Sequence, residues 1–331
     1  MSDLVISLLS ALLATNTPAA VSNLVTQRTG LSITIPDPND PVEKQYHALL
    51  AEDDTAQMEI DRWIRSEPEM TQMEASLAKV TLRARIRQRM EPVRGHYEDF
   101  LQHNPKHVRA RIAYGSFLND LGEEQEARQQ WEKALEVEPK NPAVWNNLGN
   151  YFAHNGPIRK AFESYGKALE LDPDQSLYYQ NLATILYMFR KDAQEFYKIT
   201  ETQAYKRVLR TYRKALELDP KNFPLATDLA QTYYGFKPPT TGDAAEDREL
   251  LLEHYEDALS AWNKALRLAR DDIEREGIYT HLARVQIELG RLEEARRQLT
   301  LVSNAMYLTL RDRLLKKIEQ RGKTNSPPSV P

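Results

Sequence analysis

Apolar residues recur along this chain three and four positions apart, the period of a helix with one buried face. Trp145, Leu148 and Phe152 form such a stripe, which predicts a helix over 143–154. Asn155-Gly156-Pro157 then reads as a turn. Glycine suits the left-handed residue after a helix end and proline suits the first turn of the next helix. Ala161, Tyr165 and Ala168 resume the helical period, and Pro173 stops it. On the first of these two helices Asn147, Asn150 and His154 share a different stripe, with Asn146 near it. Asparagine is a mediocre helix former, because its side chain competes for backbone hydrogen bonds. Its concentration here therefore marks a surface worth following.

The same pattern returns at a fixed interval. Pro105, Pro139 and Pro173 stand 34 residues apart, and the text around them repeats as "ALEVEPKN" at 134–141, "ALELDPDQ" at 168–175 and "ALELDPKN" at 215–222. A unit of a large apolar residue, then Leu-Gly, an aromatic, a small alanine, another aromatic and a closing proline resembles the tetratricopeptide repeat, a helix–turn–helix of that length. The preceding unit matches at Tyr114, Gly115, Leu118, Gly122, Ala127, Trp131, Ala134 and Pro139, but has Arg111 where the middle unit has Trp145. Later units match at Tyr179, Leu182, Ala183 and Leu186 with Tyr212, Ala215 and Pro220, then at Leu229, Ala230 and Tyr233 with Ala258, Trp262 and Ala265. A weaker last unit runs through Tyr279, Leu282, Ala283, Gly290, Ala295 and Leu299. Val93, Tyr97 and Phe100 read as the second helix of a degenerate first unit.

The resemblance implies an all-α fold, an α-α superhelix or solenoid of about five helix pairs. Its parts are an N-terminal apolar helix and linker over 1–40, a helical extension over 41–82, the repeat array over 83–302, a capping helix over 303–321 and a disordered tail over 322–331. Two insertions, near 191–203 and 235–250, fall between the paired helices of their units and are expected side by side. The first contains "DAQEFY", a short helix, and then Thr200 and Gln203 as a capping box. The second begins "KPPTTGD", after which Asp243 and Glu246 start a long helix to about Arg270. In the last helix Tyr307, Leu310, Leu314 and Ile318 form the buried stripe, while Arg313, Lys317 and Arg321 share a solvated face.

Proteins resembling this family line a concave groove with the first helix of each unit and bind peptides there. Matching positions in successive units give a ladder of hydrogen-bonding groups, Asn147–Asn181–Asp228–His281, with Thr184, Gln231 and Arg284 one turn on and Asn146, Asn150 and His154 on the best unit. A side-chain amide donates and accepts at once, so it can pair with an extended backbone without reading its sequence. The same asparagines also serve, in this family, to satisfy neighbouring backbone. A basic clamp for a terminal carboxylate is not expected, because its places hold Ile112, Ser116, Asn146 and Gln180.

Composition narrows the remaining classes. Only 12 glycines in 331 residues disfavour an all-β fold. There is no cysteine, which excludes disulfides, a thiol nucleophile and cysteine-ligated zinc. A net charge of −4 gives no reason to expect nucleic acid, and Glu91 interrupts the basic run "LRARIRQRMEPVR". His103 and His107 have ligand-like spacing, but Asn104-Pro105 breaks the helix between them, so no metal is expected. No phosphate loop, nucleophile elbow or H-E-x-x-H motif is present, and neither enzymatic activity nor a cofactor is expected. No apolar run has the roughly 18 residues of a membrane span. Leu4–Ala14 has the length of a signal-peptide core, yet "MSD" before it carries an acid and no base. The expectation is a cytoplasmic, non-enzymatic scaffold for a protein or peptide partner. The alternative is an exported chaperone or assembly factor of the cell envelope, should the first 20 or so residues be a signal peptide. The oligomeric state is not legible.

Overall fold

The computed structural model describes residue 37, residues 39–65 and residues 72–324, with side chains over 80–323 in the last stretch. The N-terminal apolar segment and the last residues of the tail lie outside the described residues. The described residues are all-α, with no strand among them, and none of their helices is long and apolar enough to cross a membrane. The chain divides into two units, Met1–Tyr151 and Phe152–Pro331.

In the first unit α1 (Pro41–Arg65) pairs with α2 (Gln72–His103), α3 (Val108–Asp120) pairs with α4 (Glu124–Val137), and α5 (Pro142–Asn155) begins; the unit boundary falls within α5. α2 is a single helix through residue 82, so the extension and the first repeat-like helix are one element, and α1 supplies the partner that the degenerate first unit needs. A buried polar group fixes this pair: the Tyr97 hydroxyl donates to Asp53 at 2.7 Å, and the Gln57 amide donates to its other oxygen at 2.9 Å. Between α3 and α4, Gly115 lets the helices close, since a Cβ there would collide with the Trp131 indole. Trp131 in turn donates to the Ile112 carbonyl at 3.3 Å. His107, considered above as a ligand, is instead the N-cap of α3, its Nδ1 accepting from the Ala110 N–H at 3.0 Å.

The departure at Arg111 is explained by its hydrogen bonds. Trp145 Nε1 donates to the Pro139 carbonyl at 2.9 Å, and Arg111 Nε donates to the Pro105 carbonyl at the same distance. Each side chain reaches back six residues to tie its helix to the closing proline of the unit before. The buried face of α5 is rotated from the expected stripe. Val144, Leu148 and Tyr151 are buried with Asn146, while Trp145 is half-buried.

The second unit continues the hairpins. It contains the end of α5, then α6 (Ile158–Leu171), α7 (Ser176–Met188), the short α8 (Arg190–Tyr197), α9 (Glu201–Leu218), α10 (Phe223–Thr232), a single 3-10 turn (Tyr233–Gly235), α11 (Ala244–Leu268), α12 (Asp272–Glu288), α13 (Leu292–Thr300) and α14 (Ala305–Thr324). α7 pairs with α9, α10 with α11 and α12 with α13. Their core runs through Tyr165, Leu186, Val208, Leu225, Trp262 and Leu282, all buried.

The first insertion is the helix α8 plus the Thr200–Gln203 capping box, in which both reciprocal hydrogen bonds form. Phe196 and Tyr197 of α8 pack on Phe162 of α6, with ring centroids 5.3 and 5.8 Å away. The second insertion is anchored where it begins, Phe236 stacking on Tyr205 of α9 at 3.7 Å. Its other end is the Asp243 cap of α11, whose carboxylate accepts from the Ala245 and Glu246 N–H groups. Both insertions thus rest on α9.

Of the expected stripe on α14, Leu314 and Ile318 cover Ala283, Ile287, Ala295 and Leu299, while Tyr307 is half-buried and Leu310 is exposed. On the basic face of α14 Arg313 is exposed as expected, but the other two cations differ. Lys317 and Arg321, both half-buried, bond Glu288 of α12 at 2.5 and 2.6 Å, so they clamp the cap. The turn residues behave as their glycines require: Gly122 and Gly290 have positive φ between paired helices, and Gly156 has positive φ between α5 and α6. Pro157 sits one place earlier than expected, as the N-cap of α6.

Candidate functional site

The polar stripe lies on the first helices of the hairpins, and each unit presents its own part. In the first unit Asn147 is half-buried, Asn150 is exposed and Asn146 is only 3% exposed. Asn146 therefore does not join the surface stripe. At one position past Trp145 it is carried into the buried face of α5. Asn146 and Asn150 already engage the chain, whereas the Asn147 amide bonds no described residue.

In the second unit three first helices follow one another as α7, α10 and α12. Gln180 of α7 donates to Asp228 of α10 at 3.1 Å, and Tyr234, just past α10, meets His281 Nδ1 of α12 at 3.1 Å. Along this face lie Asn181 and Thr184, then Asp228 and Gln231, then His281 and Arg284. Gln231 and Arg284 are exposed and the other four are half-buried. Several are engaged by the chain itself. Thr184 donates to the Gln180 carbonyl and shares a hydrogen bond of 3.0 Å with the Tyr212 hydroxyl. Asn181 also has a partner in the chain. His154, at the end of α5, is exposed.

Electrostatics differ along the face. Burial raises the Asp228 carboxyl above its ordinary range, opposed by the Gln180 hydrogen bond. His281 is pushed down to about 4, first by burial and then by the Arg284 charge, so it is a neutral ring at physiological pH. That ring lies flat on Trp262, with centroids 4.1 Å apart, while the Arg284 guanidinium sits 4.4 Å over Tyr234. The result is a face of amides, a neutral imidazole, one carboxylate and one cation, rimmed by aromatic rings. It can donate to and accept from a peptide backbone. No metal-binding cluster occurs among the described residues.

Tyr234 and Gln180 are contributors that the ladder of matched positions passed over. The repeated Tyr233-Tyr234 after α10 was the available signal, but its meaning depends on Trp262 and His281, which only the folded hairpins bring to it.

Two repeat families match the chain by sequence: "TPR repeat" over residues 115–156 and "Tetratricopeptide repeat" over residues 142–175. No curated protein matches. Among solved structures, the chain is similar to YrrB, "a TPR protein with an unusual peptide-binding site", at 15% identity, covering 66% of this chain and 97% of that one with a TM-score of 0.47. It is similar to PilF of Pseudomonas aeruginosa at 16% identity, covering 75% and 98% with a TM-score of 0.49. It is also similar to TTC0263, a thermophilic TPR protein of Thermus thermophilus, at 20% identity, covering 64% and 99% with a TM-score of 0.40. With the 34-residue period, the small residues at the helix crossings and the paired helices described above, the sequence matches show that the chain carries tetratricopeptide repeats over residues 115–175.

Proposed function

We propose that this interaction scaffold binds an extended segment of a partner protein along the first-helix face of its second unit, without catalysis. The observation that carries the reading is the succession of α7, α10 and α12, which presents Asn181, Thr184, Asp228, Gln231, His281 and Arg284 on one side while the apolar residues between them are buried. An amide that already holds one intramolecular bond keeps further donor and acceptor capacity for a ligand backbone. On α5 the matching residues, Asn147, Asn150 and His154, are proposed for the same role within their own repeat.

The test is capture of the partner from the native source by the full chain, read by mass spectrometry, against the double variant Asn181→Ala with Gln231→Ala. Each net hydrogen bond is worth about 0.5–1.5 kcal/mol, so the pair should cost roughly ten- to a hundredfold in affinity. The melting temperature should change little, because one side chain is exposed and the other half-buried. Equal capture by the variant and the wild type would refute the assignment.

A further inference from the structure

We infer that the second unit carries, on its second-helix side, a binding cavity for an acidic segment of a partner protein, distinct from the first-helix face. The cavity has a volume of about 680 Å³ and opens along α9. Gln203, Arg207, Arg210 and Lys214 recur on α9 at helical spacing and form one wall, with Thr211 and Arg213 beside them. Tyr179 of α7 and Ile199, just past α8, complete it.

Its charge runs against the rest of the molecule. Four cations and one carboxylate, Glu217, line the cavity, in a chain whose net charge is −4. The cations are not all spent on neighbours. Arg213 is the committed one, bonding Asp257 at 3.3 Å and the Tyr233 hydroxyl at 2.9 Å. Lys214 faces Glu217 at a loose 3.6 Å. Arg210 is exposed and has no partner among the described residues. The Arg207 guanidinium carbon sits over the Tyr197 ring, 3.8 Å from its centroid, and the Arg207 Nε is buried without a hydrogen-bond partner.

The inserted helix makes this arrangement. Tyr197 of α8 holds the Arg207 plane, and Ile199 closes the end, so a repeat without the insertion would have neither. A planar guanidinium fixed by stacking loses less freedom on binding and suits a carboxylate or phosphate fork. The shared chemistry is an oxyanion borne on a peptide, either a run of Asp and Glu or a phosphorylated side chain. A peptide is favoured over a nucleic acid because the basic surface is one bounded cavity rather than a track, and the acidic remainder of the chain repels a long polyanion.

The experiment uses the full chain and short dye-labelled probes at low salt, read by fluorescence anisotropy. The probes are a glutamate-rich peptide, a phosphoserine peptide, a glutamine-rich control and a single-stranded oligonucleotide. At least one of the two anionic peptides should bind, and which one binds more tightly tells the two sources apart. Added salt should weaken the binding. Arg210→Glu with Lys214→Glu should reduce it by about tenfold or more, with an unchanged thermal melt. If the double reversal lowers the melt, Arg210→Gln alone should still weaken the binding severalfold. The Asn181→Ala, Gln231→Ala variant should bind the anionic peptide like the wild type, which separates this site from the first-helix face. The inference is overturned if neither anionic peptide binds the wild type, if binding survives both sets of substitutions, or if the oligonucleotide binds more tightly than both peptides.

Discussion

At the scale of single residues, His281 shows how a position chosen for its chemistry becomes a structural group. Stacked on Trp262 and bonded to Tyr234, its ring is held neutral, with a pKa of about 4 against an ordinary 6.5. A histidine whose folded pKa is depressed favours the native state fully only above the unfolded value. As pH falls from about 6.5 toward 4, the unfolded chain takes up the proton first and stability drains away, by about 3 kcal/mol in all. Asp228, raised by burial, works in the opposite sense, because its folded form takes up a proton before the unfolded chain does as pH falls. Chemical denaturation of wild type and His281→Phe across that window should therefore show a shallower loss in the variant, which keeps an aromatic ring on Trp262 but cannot titrate. Parallel curves would contradict the pKa assignment. Register alone put His281 on the ladder. It could not show that Tyr234, 47 residues away, and Trp262 would occupy the ring's polar edge and face. Asn146 carries the same lesson at short range: one helical step of about 100° separates surface from core, and a stripe drawn from Trp145 sits on the border.

At the scale of elements, the hairpins follow directly from short motifs, and their departures are local substitutions of equal effect. Arg111 does the work of the expected tryptophan because what the position needs is a donor aimed at a proline carbonyl six residues back. The capping box at Thr200 was legible for the same reason, since its two reciprocal bonds join residues only three apart. Thr200→Ala should remove one of them and cost about 1 kcal/mol, typical of a lost N-cap. Because α9 carries both insertions, amide exchange should quicken in its first turn before it does elsewhere in the helix. Unchanged protection there would show that the cap is redundant. The clamp of Lys317 and Arg321 on Glu288 was not legible, because a basic helix face looks the same whether it meets water or a carboxylate on another helix.

At the scale of the whole molecule, stability is a chain of nearest-neighbour contacts, and the final hairpin has only one neighbour besides its cap. Ile318→Asp would bury a carboxylate against Ala283, Ile287 and Leu299. Hydrogen exchange should then show α12 and α13 opening well before α7 and α9, with two steps appearing in thermal unfolding. A single cooperative loss at a lower temperature would mean that the second unit folds as one block. The order of the hairpins, and the two places where the chain between paired helices is stretched, came from period alone, because each repeat is a local structure. How the inserted residues pack did not, since Phe196 and Tyr197 choose their partners on α6 and α9 across the hairpin.

The two insertions consequently offer opposite prospects to an engineer. Pro239 and Thr240 are exposed and hydrogen-bond no other described residue, so an epitope or fluorophore grafted between them should leave the protein intact. The segment ending in Phe196-Tyr197 is mortar between bricks, and cargo placed in it would pry apart the courses on either side.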